Sequence, residues 1–226
     1  MTESRSVTKL HSNDTLSSVE ISLEGKILPP YVDENSLMRN IEGDLYGMCL
    51  IFPGTSVNEW LATNTLGFFT LVDLIAASIM EYCTIDMCPE MTAGDTQYYW
   101  IDEKNKKQKL PAPNHINLAM SYIQTQLQDR KIFPTKFGHE FSPDFIHVIK
   151  RMYRHMLQTI AHLYYHHFQI LKELSLHCYL NSLLLHFAYF TKHFELLEIQ
   201  DLEPLSDLIE LLFKIDRNDS AGKKAE

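Results

Sequence analysis

Glycine and proline are scarce in this chain, which has 8 Gly and 9 Pro among 226 residues. That scarcity excludes collagen-like and low-complexity proteins. The sequence contains no run approaching the about 18 apolar residues of a transmembrane helix, and its polar N-terminus lacks the apolar core of a signal peptide. We therefore expect a cytoplasmic or nuclear protein without a membrane span.

Positively charged residues are also scarce. The chain has 20 Lys and Arg against 29 Asp and Glu, which gives a net charge of −9. A negative protein repels phosphate backbones, which disfavours nucleic acid as a partner and favours a protein with basic residues. One local pattern points the other way, because cations beside aromatic residues are typical of single-strand binding. A solvated hairpin tip explains that pattern better; its lysines are Lys104, Lys106, Lys107 and Lys109.

Apolar residues are plentiful, at 45% of the chain, and they suffice for the core of one domain. Residues 1–35 are polar and lack apolar periodicity, so we predict a disordered N-terminal arm. Residues 36–217 carry the periodic segments and form the predicted helical domain. The polar residues 218–226 are predicted to be a flexible tail.

Apolar residues recur at helical spacing in five segments of the domain. These segments cover about 57–82, with a plausible break at Asn64-Thr65, then 114–128, 142–174, 176–196 and a short last helix from Glu203. The pattern predicts an all-α fold, a helical bundle with a four-helix core. A β-branched and aromatic run at 97–101, a polar turn and a return strand to Leu110 predict one small β-hairpin.

Cysteine and histidine form the most informative cluster. Cys83 and Cys88 have four residues between them, and His162, His166 and His167 lie within two turns of a predicted helix. Two thiolates and two imidazoles complete the tetrahedral shell of a structural zinc ion. Buried cysteines that act as small apolar residues, beside a chance cluster among 11 histidines, explain the same spacing without metal.

Helix geometry leaves the histidine pair open. At about 100° per residue, His162 and His166 lie about 40° apart on one face, whereas His162 and His167 lie about 140° apart. His166 is therefore the simpler partner of His162. His167, however, falls in the apolar stripe, where a buried imidazole needs a partner.

With these residues the chain resembles the Mob family. The resemblance covers about residues 45–215 and is carried by Asn58-Glu59-Trp60-Leu61-Ala62, Cys83 to Cys88, Met91-Thr92-Ala93-Gly94, Tyr98-Tyr99-Trp100, Phe133-Pro134-Thr135, Ala161-His162-Leu163-Tyr164, His166-His167-Phe168 and Phe194-Glu195-Leu196-Leu197. Mob proteins are non-catalytic co-activators that bind the N-terminal regulatory segment of NDR/LATS-type protein kinases. The resemblance implies a helical bundle with one structural zinc ion.

By position, the resemblance implies that Cys83, Cys88, His162 and His167 bind Zn²⁺. It selects His167 over His166, which requires a local distortion of the helix or an angled approach of the side chain. It also implies partner contacts at Glu59 and Trp60, although Trp60 is an equally good core residue. The expected function is that of a kinase adaptor and co-activator. The alternatives are a zinc-stabilised scaffold for a non-kinase partner and a competitor of an activating relative.

Two departures from the family pattern affect the expected partners. Members that bind phosphorylated peptides use three basic residues where this chain has Arg154, His155 and Gln158, so phosphopeptide binding at Arg154 and His155 is expected to be weakened. A second basic triplet, Lys150-Arg151-Arg154, is more typical of a solvated helix face. Members that bind LATS kinases carry acids where this chain has Thr55 and Gly67, which leaves the choice of kinase open. The run Thr96-Gln97-Tyr98-Tyr99-Trp100 and the altered basic positions resemble the NDR-binding branch.

A catalytic metal is the remaining alternative, with Glu81, Asp86 or Glu90 as a general base. Four protein ligands would leave no open position for water, and the sequence has no HExxH motif. We therefore predict that the protein is not an enzyme.

Overall fold

The structure is a computed structural model that describes Tyr31 and residues 36–41, 43–102, 104–136 and 138–222, with side chains up to 218. Apart from Tyr31, the predicted disordered arm lies outside the described residues. The described part is mostly helical, as predicted, and its elements are numbered along the chain below.

Helix α1 spans Val57–Ile79 and begins at a reciprocal cap. The Glu59 amide donates to Ser56 Oγ at 3.2 Å, and the Ser56 amide donates to Glu59 Oε2 at 3.2 Å. The predicted break at Asn64-Thr65 is wrong, because both side chains donate to carbonyls four residues earlier within a continuous helix.

The core is built around one central helix. Helix α3, Phe145–His166, packs against α1, against α2 (Ala112–Gln128) and against α5 (His177–His193). A short helix α4, Phe168–Glu173, follows α3 after a single-residue break. Because α3 is covered from several sides, most of its residues from Met152 to Tyr164 are buried.

The C-terminal region contains more helix than predicted. Helix α6 spans Ile199–Leu202, a 3-10 turn covers Glu203–Leu205, and α7 runs from Ser206 to Gly222 against α5. The helix therefore continues past Asn218, where the sequence was expected to become a tail.

Two strand pairs replace the single predicted hairpin. Strands β3 (Trp100–Ile101) and β4 (Lys107–Gln108) pair antiparallel and form the expected hairpin, with Trp100 opposite Gln108. A second antiparallel pair joins β1 (Thr92–Ala93) to β2 (Thr96–Gln97), and β1 packs against α3. The predicted strand 97–101 is divided between β2 and β3.

Helix α1 is long and apolar enough, by length and composition, to cross a membrane. This finding is weak evidence for a span, since a core helix passes the same test. Seven of its residues, including Phe68, Val72 and Ile79, are buried against the rest of the chain.

Candidate metal centre

Four potential ligands from separate parts of the fold meet at one buried point. Cys83 follows the end of α1, Cys88 lies in the loop before β1, His162 is in the last turns of α3, and His167 is the residue between α3 and α4. All four are buried, and their ligand atoms lie within 4.8 Å of one another. The cysteine loop and the helix junction are thereby brought together across the fold.

The distances fit a tetrahedral ion. Cys83 Sγ lies 3.6 Å from His162 Nε2, and Cys88 Sγ lies 3.5 Å from His167 Nε2. Bonds of about 2.3 Å from zinc to sulfur and about 2.0–2.1 Å to nitrogen place tetrahedral S and N ligands about 3.6 Å apart. Two thiolates with two imidazoles are also a donor set that suits zinc. The residues present therefore fit the predicted ion.

A break in the helix explains how His167 reaches this point. His167 has φ −127° and ψ 9°, so α3 ends at His166 and α4 begins at Phe168. A continuous helix would turn His167 about 140° away from His162. The His167 amide still donates to the Leu163 carbonyl at 3.0 Å, so the distortion is confined to one residue.

His166, the alternative ligand, lies beside the centre rather than in it. Its Nε2 is 2.9 Å from Thr92 Oγ1, and its ring stacks on that of His162 at a centroid distance of 4.5 Å. Among the described residues, the group of four that can hold a metal includes His167 and omits His166.

Thr92 orients the first histidine. His162 Nδ1 lies 2.9 Å from the Thr92 carbonyl oxygen, so Nδ1–H donates to that oxygen and Nε2 is left bare towards the cysteines. Such a second bond is how ligating histidines are usually held in one tautomer. The sequence analysis did not assign this role to Thr92. The position of Thr92 within the Met91–Gly94 motif is the sequence feature that could have indicated this role.

Gly94 allows the β1–β2 turn to pack close to α3. Its φ is +56°, and a Cβ atom built there would lie 2.9 Å from Cε1 of Tyr165. Both the backbone angle and the close aromatic ring therefore favour glycine.

Burial controls the protonation of the four groups. It raises the pKa of Cys83 to about 12 and raises that of Cys88, while it lowers the pKa of His162 to about 3 and that of His167 to about 4. Without a cation, the site at neutral pH holds two thiols and two neutral imidazoles. The imidazoles are ready to ligate, whereas a metal ion must displace the thiol protons.

The residues predicted to contact a partner lie at the start of α1. The Glu59 side chain is exposed and closes the helix cap. Trp60 is half-buried, its indole N–H donates to the Cys49 carbonyl at 3.0 Å, and the Phe52 ring meets it edge-on at 5.2 Å. Trp60 thus holds the segment before α1 in place as well as bordering the surface.

The residues at the phosphopeptide-binding positions do not form a cluster of free cations. Arg154 Nε bonds Asp201 Oδ1 at 3.0 Å, and His115 Nε2 lies 3.3 Å from Gln158 Oε1. His155 is 8% exposed and stacks on Trp100, and its burial lowers its pKa to about 3, so it is neutral. Asp201 is the residue that sequence reasoning missed here.

The chain is similar in sequence to known proteins of one family. Residues 41–205 match the Mob1/phocein family. The chain is 40% identical over 156 residues to MOB kinase activator 2 of Homo sapiens, which covers 69% of this chain and 66% of that relative. It is 37% identical over 171 residues to the maintenance of ploidy protein mob1 of Schizosaccharomyces pombe, covering 74% of this chain and 81% of the relative. It is also 39% identical over 171 residues to MOB kinase activator-like 1B of Arabidopsis thaliana, covering 74% and 80%.

Proposed function

Because the chain belongs to the Mob1/phocein family, as its motifs predicted, we propose that it is a non-catalytic adaptor that binds a protein kinase and modulates its activity. The proposed partner is the N-terminal regulatory segment of an NDR/LATS-type kinase, in the cytoplasm or the nucleus. The names of the relatives, which are kinase activators, support a kinase partner. The proposed cofactor is one structural Zn²⁺ ion at Cys83, Cys88, His162 and His167.

The observation that carries this proposal is an exposed apolar surface on a core helix. Leu66, Leu71 and Leu74 of α1 are 54%, 45% and 62% exposed, and we call these three residues the α1 face. The opposite side of the same helix is buried in the core. Grouped apolar side chains in water mark a protein contact surface.

The surroundings of the α1 face match a partner helix with apolar and basic residues. Phe52 and Val57, before and at the start of α1, are also exposed, and the Glu59 carboxylate lies exposed near them. The net charge of −9 would speed the approach of a basic segment. Gly67 is exposed within the face, with no atom within 4 Å of a Cβ built there. The run Thr96-Gln97-Tyr98-Tyr99-Trp100 and the altered basic positions support an NDR rather than a LATS kinase.

A closed metal site supports the non-catalytic part of the proposal. Four protein ligands fill a tetrahedral shell and leave no position for a reacting water molecule. Of the candidate bases, Glu81 and Asp86 are exposed to solvent, and Glu90 pairs with Lys109. What zinc supplies in such a site is folding free energy.

Calorimetric titration with the N-terminal segments of an NDR and a LATS kinase tests the proposal. We expect submicromolar binding to one segment that weakens at higher salt. Leu74→Asp should weaken that binding by at least about tenfold, since a charge replaces an apolar contact. Leu118→Asp is the matched control, because Leu118 is 42% exposed on α2. Absence of binding by folded, zinc-loaded protein would contradict the proposal and favour a scaffold for a non-kinase partner.

A further inference from the structure

The segment that precedes α1 is anchored next to the metal centre. Tyr31 is 3% exposed, and its ring meets the rings of Tyr164, Tyr165 and Phe168 edge-on at centroid distances of 5.5, 5.4 and 6.0 Å. We call Tyr31 together with residues 36–41 the strap.

Hydrogen bonds hold the rest of the strap to the same helices. Lys172 Nζ of α4 donates to Ser36 Oγ at 3.1 Å. The buried Asn181 amide of α5 donates to the carbonyls of Ser36 and Met38 at 2.7 and 2.8 Å, while its Oδ1 accepts the Tyr164 hydroxyl at 2.8 Å. The strap therefore depends on the relative positions of α3, α4 and α5.

Those positions are set at a metal ligand. Tyr164 and Tyr165 come just before His167, and Phe168 comes just after it. Phe168 and Lys172 belong to α4, whose direction relative to α3 is fixed by the backbone break at His167. The same break points the His167 imidazole at the two cysteines. One local conformation thus serves both the metal centre and the strap.

We propose that metal binding and strap anchoring are coupled through this break. A bound metal ion fixes His167, and His167 holds α4 in its orientation. In that orientation Phe168 of α4 packs with Tyr164 and Tyr165 around the ring of Tyr31, and Lys172 donates to Ser36. When the metal is lost, His167 returns to helical backbone angles, α3 and α4 become one continuous helix, and the strap detaches. The strap leads into the segment that contains the exposed Phe52 beside α1. Binding of the metal ion would therefore also change the affinity for the proposed kinase. Only this last step rests on the proposed function.

Coupling between two sites is reciprocal, so damage to the strap must weaken metal retention. Equilibrium competition for zinc between the full-length chain and a chromogenic chelator measures this directly. We expect Tyr31→Ala to lower the zinc affinity by at least about fivefold, within the usual range of coupling between sites.

Phe133→Ala is the matched control for this measurement. Phe133 is also buried, at 8% exposure, and its ring meets that of Phe145 edge-on at 5.3 Å, but Phe145 lies at the far end of α3 from His167. Its zinc affinity should stay within about twofold of wild type, well inside the expected coupling. An equal loss of affinity in both variants would show general destabilisation and overturn the proposal, as would an unchanged affinity in Tyr31→Ala.

Hydrogen exchange before and after chelation gives a second readout. The amides of Asn40 and Ile41 donate to Ser182 Oγ at 3.1 and 3.2 Å, so they report on the strap. We expect these two amides to exchange at least about tenfold faster without metal, while the interior amides of α2 keep their protection. Unchanged strap amides, or equal loss of protection across the whole chain, would overturn a local coupling.

Neither readout uses a kinase. Weaker zinc affinity in Tyr31→Ala, with no binding of kinase segments by the wild-type chain, would support the coupling and contradict the proposed function. The opposite pair of results would contradict the coupling alone.

Discussion

The two long core helices place their unusual residues in opposite environments. The end of α3 buries polar imidazoles, with His162 at 0% and His167 at 3% exposure. Helix α1 does the reverse and leaves the three leucines of the α1 face in water. A buried polar group is costly without a bonding partner, and an exposed apolar patch is typical of a contact surface. This difference supports the proposed metal ion at α3 and the proposed kinase at α1.

The largest expected effect is loss of a metal ligand on the α3 side. Cys83→Ser should abolish zinc binding and lower stability by at least roughly 3 kcal/mol, since the site's binding energy is folding energy. For a chain of this size that corresponds to a fall in melting temperature of about 6–12 °C. Metal analysis and a thermal melt measure both effects.

Cys178→Ser provides the control for the cysteine variant. Cys178 is only partly buried and is not among the four clustered ligands. It should keep one zinc per chain and a melting temperature close to that of wild type. Full zinc content in Cys83→Ser would remove Cys83 from the ligand set.

Next in size is the discrimination between neighbouring histidines. His167→Ala should lose zinc, whereas His166→Ala should retain it, because only His167 points its Nε2 at Cys88. Metal content of the two purified variants decides the matter. Retention in His167→Ala together with loss in His166→Ala would show that the helix break does not select the ligand.

Zinc should dissociate as the pH falls, and the zinc affinity should depend steeply on pH. Both thiols are protonated below their raised pKa values, that of Cys83 being about 12, so each zinc bound displaces two protons. Zinc affinity should then fall by about a hundredfold for each unit that pH drops between 8 and 5.

The histidines add nothing to this slope in that range, because their pKa values of about 3 and about 4 keep them neutral. Competition with a chelator of known pH behaviour measures the slope. A slope of one proton or none would contradict a pair of buried thiols as ligands.

The smallest expected effect concerns phosphopeptides. With Arg154 paired to Asp201 and His155 neutral, a phosphothreonine peptide should bind hardly better than its unphosphorylated form. Asp201→Asn should improve binding of the phosphorylated peptide a few-fold by releasing Arg154. Titration with both peptide forms tests this, and strong selective binding by wild type would contradict it.

The sequence predicted the helical content, the hairpin at β3–β4 and the ligand candidates because each depends on local spacing. The Ser56 and Glu59 cap is one such local signal. The break at His167 could not be predicted from periodicity, because it depends on the cysteine loop more than 70 residues earlier in the chain. The continuous helix at Asn64-Thr65 was missed for a different, local reason, because both side chains donate to carbonyls four residues earlier in the same helix.

Other features depend on tertiary contacts that no spacing rule encodes. The pairing of Arg154 with Asp201 joins α3 to α6, and the Thr92 carbonyl reaches His162 from β1. The β1–β2 pair was missed because each strand has only two residues. Such short strands carry no period-2 pattern.

The most direct test of kinase binding at the α1 face is methyl NMR of the zinc-loaded chain, titrated with the N-terminal segment of an NDR-type kinase. We expect the methyl signals of Leu66, Leu71 and Leu74 to shift on binding while those of Leu118 stay unchanged. Unchanged signals from the α1 face, or shifts confined to other surfaces, would contradict the claim that this face binds the kinase.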